Sequence, residues 1–157
     1  MTVAAWRIAV EAPSYAADDL TGTGAKITGG RWNSKGTPVV YCAENIALAT
    51  LETVHYLSSG GLPFNRYLVR IDIPDPVWAE RRVLDPLPGA WDAIPAGMGA
   101  RLAGDAWVAA GSSALLLVPS VIVPEEYNIL VNPQHAQAGS ITAAIRKRWS
   151  YDPRFFA

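Results

Sequence analysis

The stretch NRYLVRIDIP, residues 65–74, sets the strongest limit on the architecture of this chain. Every second residue from Tyr67 to Ile73 is large and apolar, so in an extended backbone these side chains all lie on one face. Such a period of two, carried by β-branched and aromatic residues, predicts a strand with one buried face. A lone strand cannot bury that face, so the chain must build a sheet around it.

The rest of the chain alternates between strand and helix patterns, which predicts a mixed α/β order and an α+β fold. Apolar runs predict further strands at residues 6–10, 37–43, 113–124 (broken by Pro119 and Ser120) and 127–133. Helices are predicted at 46–57, with Asn45 as N-cap and SSGG (58–61) as the stop, at 99–110 and, short and basic, at 140–149. Residues 15–27 are predicted to form a loop or a short irregular helix, and the Pro- and Trp-rich residues 74–99 a long ordered loop.

Composition indicates one folded domain, residues 1–157, with 50% hydrophobic and 17% charged residues. The formal net charge of −1 gives no global attraction to nucleic acid or to an anionic membrane. A single cysteine, Cys42, excludes an internal disulfide framework and a multi-cysteine zinc site. Because the N-terminus has no signal-peptide pattern and no apolar run is long enough to span a membrane, the expected location is the cytoplasm.

Common catalytic motifs do not occur in the sequence: there is no P-loop, no GxGxxG after a strand, no GxSxG and no HExxH. The two histidines, His55 and His135, have no local partners for a Ser–His–Asp triad and are interpreted as surface or packing residues. Cys42 lies inside an apolar strand and is interpreted as a small buried hydrophobe. Asn128 and Asn132 flank a short strand, where turn or backbone-capping roles are favoured over catalysis.

The segment GGRWN, residues 29–33, is a candidate binding site. A glycine pair permits positive φ and lets a ligand approach the backbone, and the planar guanidinium of Arg31 suits phosphate or pyrophosphate. Tyr41 is placed to stack on a flat ring, and Glu52 follows on a helix among apolar neighbours, although an ordinary Arg–Glu surface pair is the alternative. Ser120 belongs to a Pro–Ser pair that interrupts an apolar strand, which indicates an edge strand or a bulge that re-aims a side chain.

These residues carry a resemblance to a known family. The runs WRIA, GGRWNSKGTPVVYCAENIALATLE, LLLVPSVIVPEEYNILVNPQH and YDPRFF occur in this order and resemble the RES-domain family, which is named for an arginine, a glutamate and a serine. The resemblance extends over nearly the whole chain. It assigns the three residues to Arg31, Glu52 and Ser120, with Ser112 and Ser113 as alternatives for the serine.

Many members of that family are toxins of bacterial RES–Xre toxin–antitoxin pairs. The resemblance implies a fold similar to that of ADP-ribosyltransferases, a single domain with a split, twisted β core, flanking helices and a cleft for NAD+. It implies that NAD+ is the substrate and that no metal is needed. Toxin members deplete cellular NAD+ by hydrolysis or phosphorolysis and so arrest growth, and some relatives transfer ADP-ribose to a protein. Three alternatives stay open: an NAD+-cleaving toxin, a mono-ADP-ribosyltransferase and a non-catalytic binding module.

The implied roles follow from cleavage of the nicotinamide glycosidic bond, which develops positive charge on the ribose. Glu52 is expected to stabilise that charge or to orient the nucleophile. Arg31 and Arg7 are expected to hold the pyrophosphate. Tyr41 is expected to stack on nicotinamide, and Ser120 to bond its amide or the nearby ribose. The implied NAD+ contacts are Arg7, Gly30, Arg31, Tyr41 and Asn132.

The resemblance also implies a protein partner, an Xre-like or DUF2384-type antitoxin that is helical and blocks the cleft. The Pro- and Trp-rich residues 74–95 are a candidate interface, and cover for the core is the alternative role of their tryptophans. The basic run RKRW, residues 146–149, is interpreted as a solvated helix face, with contact to nucleic acid or to the antitoxin as alternatives.

Overall fold

The computed structural model describes residues 1–54 and 64–156. His55, the predicted end of the second helix and its SSGG stop lie outside these residues. The helices and strands of the described residues are β1 (Thr2–Ala9), α1 (Thr23–Thr28), β2 (Val40–Ala43), α2 (Ile46–Val54), β3 (Tyr67–Pro74), α3 (Asp75–Ala79), β4 (Arg82–Val83), α4 (Met98–Ala110), β5 (Leu115–Pro119), β6 (Tyr127–Val131) and β7 (Thr142–Arg148). Short 3-10 helices span Ala136–Ser140 and Pro153–Phe156.

The strands form one mixed sheet in the order β4-β5-β6-β2-β1-β3-β7. Neighbouring strands are antiparallel except β4 and β5, which are parallel. Strand β1 pairs with β3 along its whole length, but it pairs with β2 at a single register position, where Trp6 faces Ala43. The sheet is therefore nearly divided between β1 and β2. This confirms the predicted α+β fold and gives the split in its β core a location.

The alternation that predicted β3 has the expected effect on burial. Val69, Ile71 and Ile73 are completely buried in the main core cluster. Leu68, on the opposite face of the same strand, packs in a second cluster with Leu48 of α2. Both faces of the sheet are therefore covered at β3, and its side chains belong to the core on each face. Each large side chain contributes about 1.5–3 kcal/mol to stability by leaving water.

Helix α2 begins where the sequence predicts. The Oδ1 atom of Asn45 accepts the N–H of Leu48 at 2.7 Å, which satisfies a free donor of the first turn. The Nδ2 atom of Asn45 donates to Oε1 of Glu126 at 2.6 Å and so ties the helix start to the turn before β6. Leu48 and Ala49 are buried against the sheet. The burial of these two side chains fixes the rotation of the helix and thereby the position of Glu52.

Helix α4 holds the loop at residues 29–36 through the close approach of a glycine. A Cβ atom at Gly104 would lie only 1.7 Å from the carbonyl oxygen of Trp32, so no other residue permits this contact. The next residue, Asp105, accepts the backbone N–H of Ser34 at 2.8 Å and also the Ser34 hydroxyl. Two consecutive residues of α4 therefore fix the position of the loop at residues 29–36.

The prediction of a short basic helix at residues 140–149 is wrong. Residues of this stretch form β7, an edge strand that pairs with β3. Ile141 and Ala143 pack on the main core with a spacing of two, and pairing with a long, buried neighbour outweighs the local helix pattern. The consecutive basic residues 146–148 are exposed, as is common on edge strands, where charge discourages pairing with another chain.

Other segments also differ in detail from the predictions, and the strands predicted at residues 37–43 and 113–124 are shorter, as β2 and β5. The first strand begins at Thr2 and ends at Ala9, so it is longer than residues 6–10. Residues 74–99 are not loop throughout, because they contain α3 and the short β4, which pairs with β5. Residues 15–27 are mostly loop, with α1 at their end. Within residues 1–54 and 64–156, no helix is long and apolar enough to cross a membrane.

Candidate functional site

A cleft opens where β1 and β2 separate. It has a larger lobe of about 680 Å³ and a smaller lobe of about 200 Å³. The larger volume falls within the roughly 300–1,000 Å³ typical of small-molecule sites. Four of the side chains that line both lobes are Arg7, Tyr41, Glu52 and Asn128. The cleft therefore holds a carboxylate, a cation, an aromatic ring and an amide from four different elements.

The carboxylate of Glu52, on α2, is bound on one side only. Its Oε1 atom accepts the Ser120 hydroxyl at 2.6 Å and the Nδ2 amide of Asn128 at 2.7 Å. No donor in residues 1–54 and 64–156 reaches Oε2. One oxygen is thus held by the protein and the other remains available to a ligand in the cleft.

Ser120 is placed behind Glu52, not in the cleft. It is completely buried, and its hydroxyl oxygen accepts the N–H groups of Ile122 and Val123 at 3.1 Å each. It follows Pro119, the last residue of β5, beyond the two positions at which β5 pairs with β4. The prediction of an edge strand is wrong, because β5 lies between β4 and β6 in the sheet. The expected contact of Ser120 with nicotinamide or ribose has no support from this placement.

The alternative serines have different positions. Ser113 is buried two residues before the start of β5. Its hydroxyl accepts the Trp107 indole N–H and donates to the carbonyl of Leu115. Ser112 is exposed and lies outside the lining of the cleft. Of the three candidates, Ser120 is the one hydrogen-bonded to Glu52.

The position of Tyr41 explains why one of the two residues before Arg31 must be glycine. Its hydroxyl donates to Oδ1 of Asn33 at 2.6 Å and accepts the N–H of Trp32 at 3.0 Å. A Cβ atom at Gly30 would lie 2.8 Å from that hydroxyl oxygen. Gly30 is therefore required by the approach of Tyr41, whereas sequence reasoning related it to the approach of a diphosphate. Gly29 has φ of +71°, the left-handed conformation that favours glycine.

Arg31 lines the larger lobe and is held by main-chain atoms. Its Nη1 atom donates to the carbonyls of Trp91 at 2.9 Å and Ala93 at 2.8 Å. Among the described residues no other atom of its guanidinium has a hydrogen bond, so several donors stay available. Arg31 and Glu52 line the same lobe without forming an ion pair, which leaves no support for the alternative of a surface pair.

Arg7 adds a second positive charge to the cleft. Its Nη1 atom donates to the carbonyl of Tyr41 at 3.2 Å, across the gap between β1 and β2. Its Nε atom is buried and has no hydrogen-bond partner in the described residues. A buried N–H without an acceptor is costly, so Arg7 is suited to an anionic ligand that completes its hydrogen bonds.

Asp105 stabilises the loop of Arg31 electrostatically. Burial by itself would raise the pKa of Asp105, but the hydrogen bonds from Ser34 and Thr37 and the nearby charge of Arg101 together outweigh it and hold that pKa below its usual value. The ionised form is thus the one that the folded loop binds.

The two asparagines of β6 and its end have different surroundings. Asn132 is completely buried, donates to the carbonyl of Val108 and accepts the N–H of Gln134, outside the lining of the cleft. These are capping contacts and do not support its expected contact with NAD+. Asn128, which sequence reasoning did not assign to the site, lies in the cleft. Its only sequence signal is a polar residue inside an apolar strand.

The remaining candidate residues, Cys42 and His135, have structural surroundings. Cys42 is buried, as predicted, and burial raises the pKa of its thiol to about 12, against a smaller opposing effect of Arg7. The Nδ1 atom of His135 accepts the N–H of Gln137 and so caps a 3-10 helix. In the part of the chain that the structure describes, no three His, Cys, Asp or Glu side chains form a metal-binding group.

Comparison with known proteins identifies the family. The family model described as "RES domain" matches residues 4–153, so the chain belongs to the RES-domain family. It is similar to the "Prs ADP-ribosylating toxin" of Sphingobium sp. strain YBL2, with 56% identity over 98% of this chain and 97% of that protein. It is also 37% identical to "Toxin Res" of Pseudomonas putida strain KT2440, over 96% of this chain and 98% of the relative.

The fold has a solved counterpart. A chain in the crystal structure of the M. tuberculosis MbcT–MbcA toxin–antitoxin complex matches with a TM-score of 0.62 and 19% identity, over 99% of this chain and 87% of that chain. At that identity the likeness concerns the fold alone.

Proposed function

We propose that this protein is the toxin of a RES–Xre toxin–antitoxin pair and that it cleaves NAD+ between nicotinamide and ribose. The observation that carries this proposal is the carboxylate of Glu52, held on Oε1 by two donors inside a cleft that also contains Arg7 and Arg31. One carboxylate and two cations match the parts of NAD+: a ribose that becomes positive and a diphosphate that is negative.

The chemistry needs little more than a positioned carboxylate. When the bond from ribose C1′ to the pyridinium nitrogen breaks, its electron pair goes to that nitrogen and nicotinamide leaves as a neutral molecule. The leaving group therefore needs no proton from an acid, unlike the alcohol released by ordinary glycosidases. Oε2 of Glu52 is the atom that accepts a ribose hydroxyl or faces the cationic ribose, whose charge it stabilises.

The arginines are proposed to bind the diphosphate. Arg7 has a buried Nε–H without a partner in the described residues, and Arg31 engages only Nη1 there. Phosphate oxygens accept strong, charge-assisted hydrogen bonds from such guanidinium donors. The ring of Tyr41 lies in the same cleft and is proposed to stack on nicotinamide, while its hydroxyl is occupied by the loop of Arg31.

The acceptor of ADP-ribose is proposed to be a protein side chain. The chain is 56% identical, over nearly its full length, to a relative named as an ADP-ribosylating toxin. The acceptor atom forms a bond to ribose C1′ and loses its proton, and Glu52 is the nearby base to which that proton goes. Hydrolysis or phosphorolysis, in which water or phosphate takes the place of the protein, uses the same site and is the competing outcome of the test.

An antitoxin is proposed to cover the mouth of this cleft. Ile94, on the rim of the larger lobe, is 84% exposed, and Leu87 earlier in the same segment is 39% exposed. Exposed apolar residues at the mouth of a functional cleft are typical of a surface that a protein partner covers. They support residues 74–95 as part of the interface with a helical, Xre-like partner.

The proposal is tested by two readouts on the purified full-length protein: nicotinamide release from NAD+, and a mass increase of ADP-ribose on proteins of a cell extract. Glu52→Gln is expected to lower both by about 10²–10³-fold. Glu126→Gln is the matched control, because Glu126 also accepts an asparagine amide, from Asn45, but outside the cleft. It is expected to leave both readouts unchanged.

Each outcome has a clear meaning. Adducts that depend on Glu52 establish protein transfer, whereas Glu52-dependent release of free ADP-ribose, or of its phosphate ester when phosphate is added, establishes the competing reactions. If the folded wild-type protein releases no nicotinamide in the extract, or Glu52→Gln keeps the wild-type rate, the proposal is wrong.

A further inference from the structure

Asn128 lines the cleft and has no role in the proposed function. It lies in β6 between two other strands, opposite Ala43 of β2 and Val118 of β5. A central strand with partners on both sides has little freedom to shift, so the direction of the Asn128 side chain is set by the sheet. That side chain lines both lobes of the cleft and donates from Nδ2 to Oε1 of Glu52 at 2.7 Å.

Two donors from different elements converge on the same carboxylate oxygen. Asn128 belongs to β6, whereas Ser120 belongs to the turn after β5 and is itself held by two backbone N–H groups. A carboxylate bound by one donor can still rotate about its Cγ–Cδ bond and present either oxygen. Two donors that approach Oε1 from two separate elements restrict the carboxylate of Glu52 to one orientation.

We infer that Asn128 is a positioning residue that, together with Ser120, holds Oε1 of Glu52 so that Oε2 alone meets the ribose of NAD+. This inference rests on the proposed function. Asn128 acts through Glu52: its amide stays bound to Oε1 while Oε2 accepts the ribose hydroxyl. Displacement of a reacting group by about 1 Å costs on the order of 10²-fold in rate, so loss of this contact affects turnover more than binding.

The test is the kcat and KM of NAD+ cleavage, followed as nicotinamide release from NAD+ by the full-length protein in the presence of the cell extract that supplies acceptor proteins. Asn128→Ala is expected to lower kcat by about tenfold to a hundredfold and to change KM by less than about threefold. Arg31→Ala, which removes a proposed diphosphate contact, is expected to raise KM in the same assay, so the two sides of the cleft give opposite patterns.

Asn128→Asp gives a readout that a purely structural role would not change. It places two carboxyl groups in hydrogen-bond contact, and such a pair holds one shared proton at lower pH but repels when both groups are ionised. With the shared proton, the contact to Oε1 survives; without it, Glu52 is displaced. The ratio of the variant's kcat to that of wild type is therefore expected to fall as the pH rises from about 5 to about 9. Among residues 1–54 and 64–156, the other charged groups that line the cleft are Arg7, Arg31 and Asp19, and all are present in both proteins.

Asn45→Asp is the matched control for this variant. Asn45 also donates an amide to a glutamate, Glu126 at 2.6 Å, and aspartate retains the N-cap of α2. The control thus creates the same acid pair outside the cleft and is expected to keep the wild-type pH profile. Thermal unfolding monitors folding, and the isosteric Asn128→Asp serves if Asn128→Ala does not fold.

The outcomes separate this inference from the proposed function. An active wild type whose kcat is retained within about threefold by Asn128→Ala would overturn the inference and leave the proposed function intact. So would a constant activity ratio for Asn128→Asp across the pH range. A folded wild type that releases no nicotinamide in the presence of the cell extract would overturn the proposed function and the inference with it.

Discussion

The two sides of the cleft are held in different ways. On the carboxylate side, Glu52 is bound by the side chains of Ser120 and Asn128, both of which donate to one oxygen. On the arginine side, Arg31 is bound by two main-chain carbonyls, of Trp91 and Ala93. The first arrangement restricts one functional group, and the second restricts a loop of the backbone.

This difference has a consequence for substitutions. A side-chain donor is lost by a single substitution that leaves the backbone in place, so on the carboxylate side we expect activity to fall without displacement of the backbone. Main-chain acceptors cannot be removed by substitution. Apart from the removal of Arg31 itself, the arginine side therefore changes only when its backbone is displaced, and such a change also lowers stability.

The largest effect on the arginine side is expected from Gly104→Ala. The new Cβ atom would lie 1.7 Å from the carbonyl oxygen of Trp32, so α4 or the loop at residues 29–36 must move. We expect the free energy of unfolding to fall by about 3 kcal/mol or more, measured by urea denaturation, together with a weaker affinity for NAD+. Gly99→Ala on the same helix is the control, because its Cβ would make an ordinary contact at 3.5 Å and is expected to be neutral or stabilising. Equal stability of the two variants would contradict the role of Gly104.

A smaller effect is expected from Ser120→Ala on the carboxylate side. The change removes a hydrogen bond to Glu52 and leaves the N–H groups of Ile122 and Val123 without their acceptor, which costs about 1–3 kcal/mol. We expect kcat for NAD+ cleavage to fall by tenfold or more at unchanged KM. Ser113→Ala, also a loss of a buried hydroxyl with two hydrogen bonds, is expected to lower stability but not kcat. If both variants keep the wild-type kcat, Ser120 has no role in positioning Glu52.

The smallest effect concerns pH and Asp105. The pKa of Asp105 is lower in the folded protein than in the unfolded chain, so its contribution to stability is present above the unfolded value of about 4 and is lost as the pH falls through the folded value. Because Asp105 is partly exposed, the contribution is expected to be below about 1 kcal/mol. Urea denaturation between about pH 2 and pH 7 is expected to show less loss of stability with acid in Asp105→Asn than in wild type. Parallel curves for the two proteins would exclude this contribution.

Local sequence patterns predicted much of the fold. The apolar alternation placed β3, and the cap at Asn45 placed the start of α2. The pattern of residues 140–149 led to the wrong element, because a short basic amphipathic stretch fits either a helix or an edge strand and only its pairing with β3 selects the strand.

The candidate site was accessible to sequence reasoning only in part. Arg31, Tyr41 and Glu52 do line one cleft, and their roles there stay predictions. Asn128 was not assigned to the site, and the one signal for it in the sequence is that it is a polar residue among the apolar residues of β6. Its partner Glu52 lies 76 positions away in the chain, so no local pattern relates the two.

Local patterns thus specify the strands β3 and β6 and the helices α2 and α4, because propensity, caps and burial patterns act over a few residues. Which atoms meet is decided by the sheet order, since β5 and β6 bring Ser120 and Asn128 to Glu52, which precedes them in the chain by 68 and 76 positions. The same long-range packing requires Gly30 and Gly104, whose missing side chains make room for Tyr41 and Trp32. Hydrogen bonds and steric contacts act over a few ångströms in space, and a sequence alone does not state those distances.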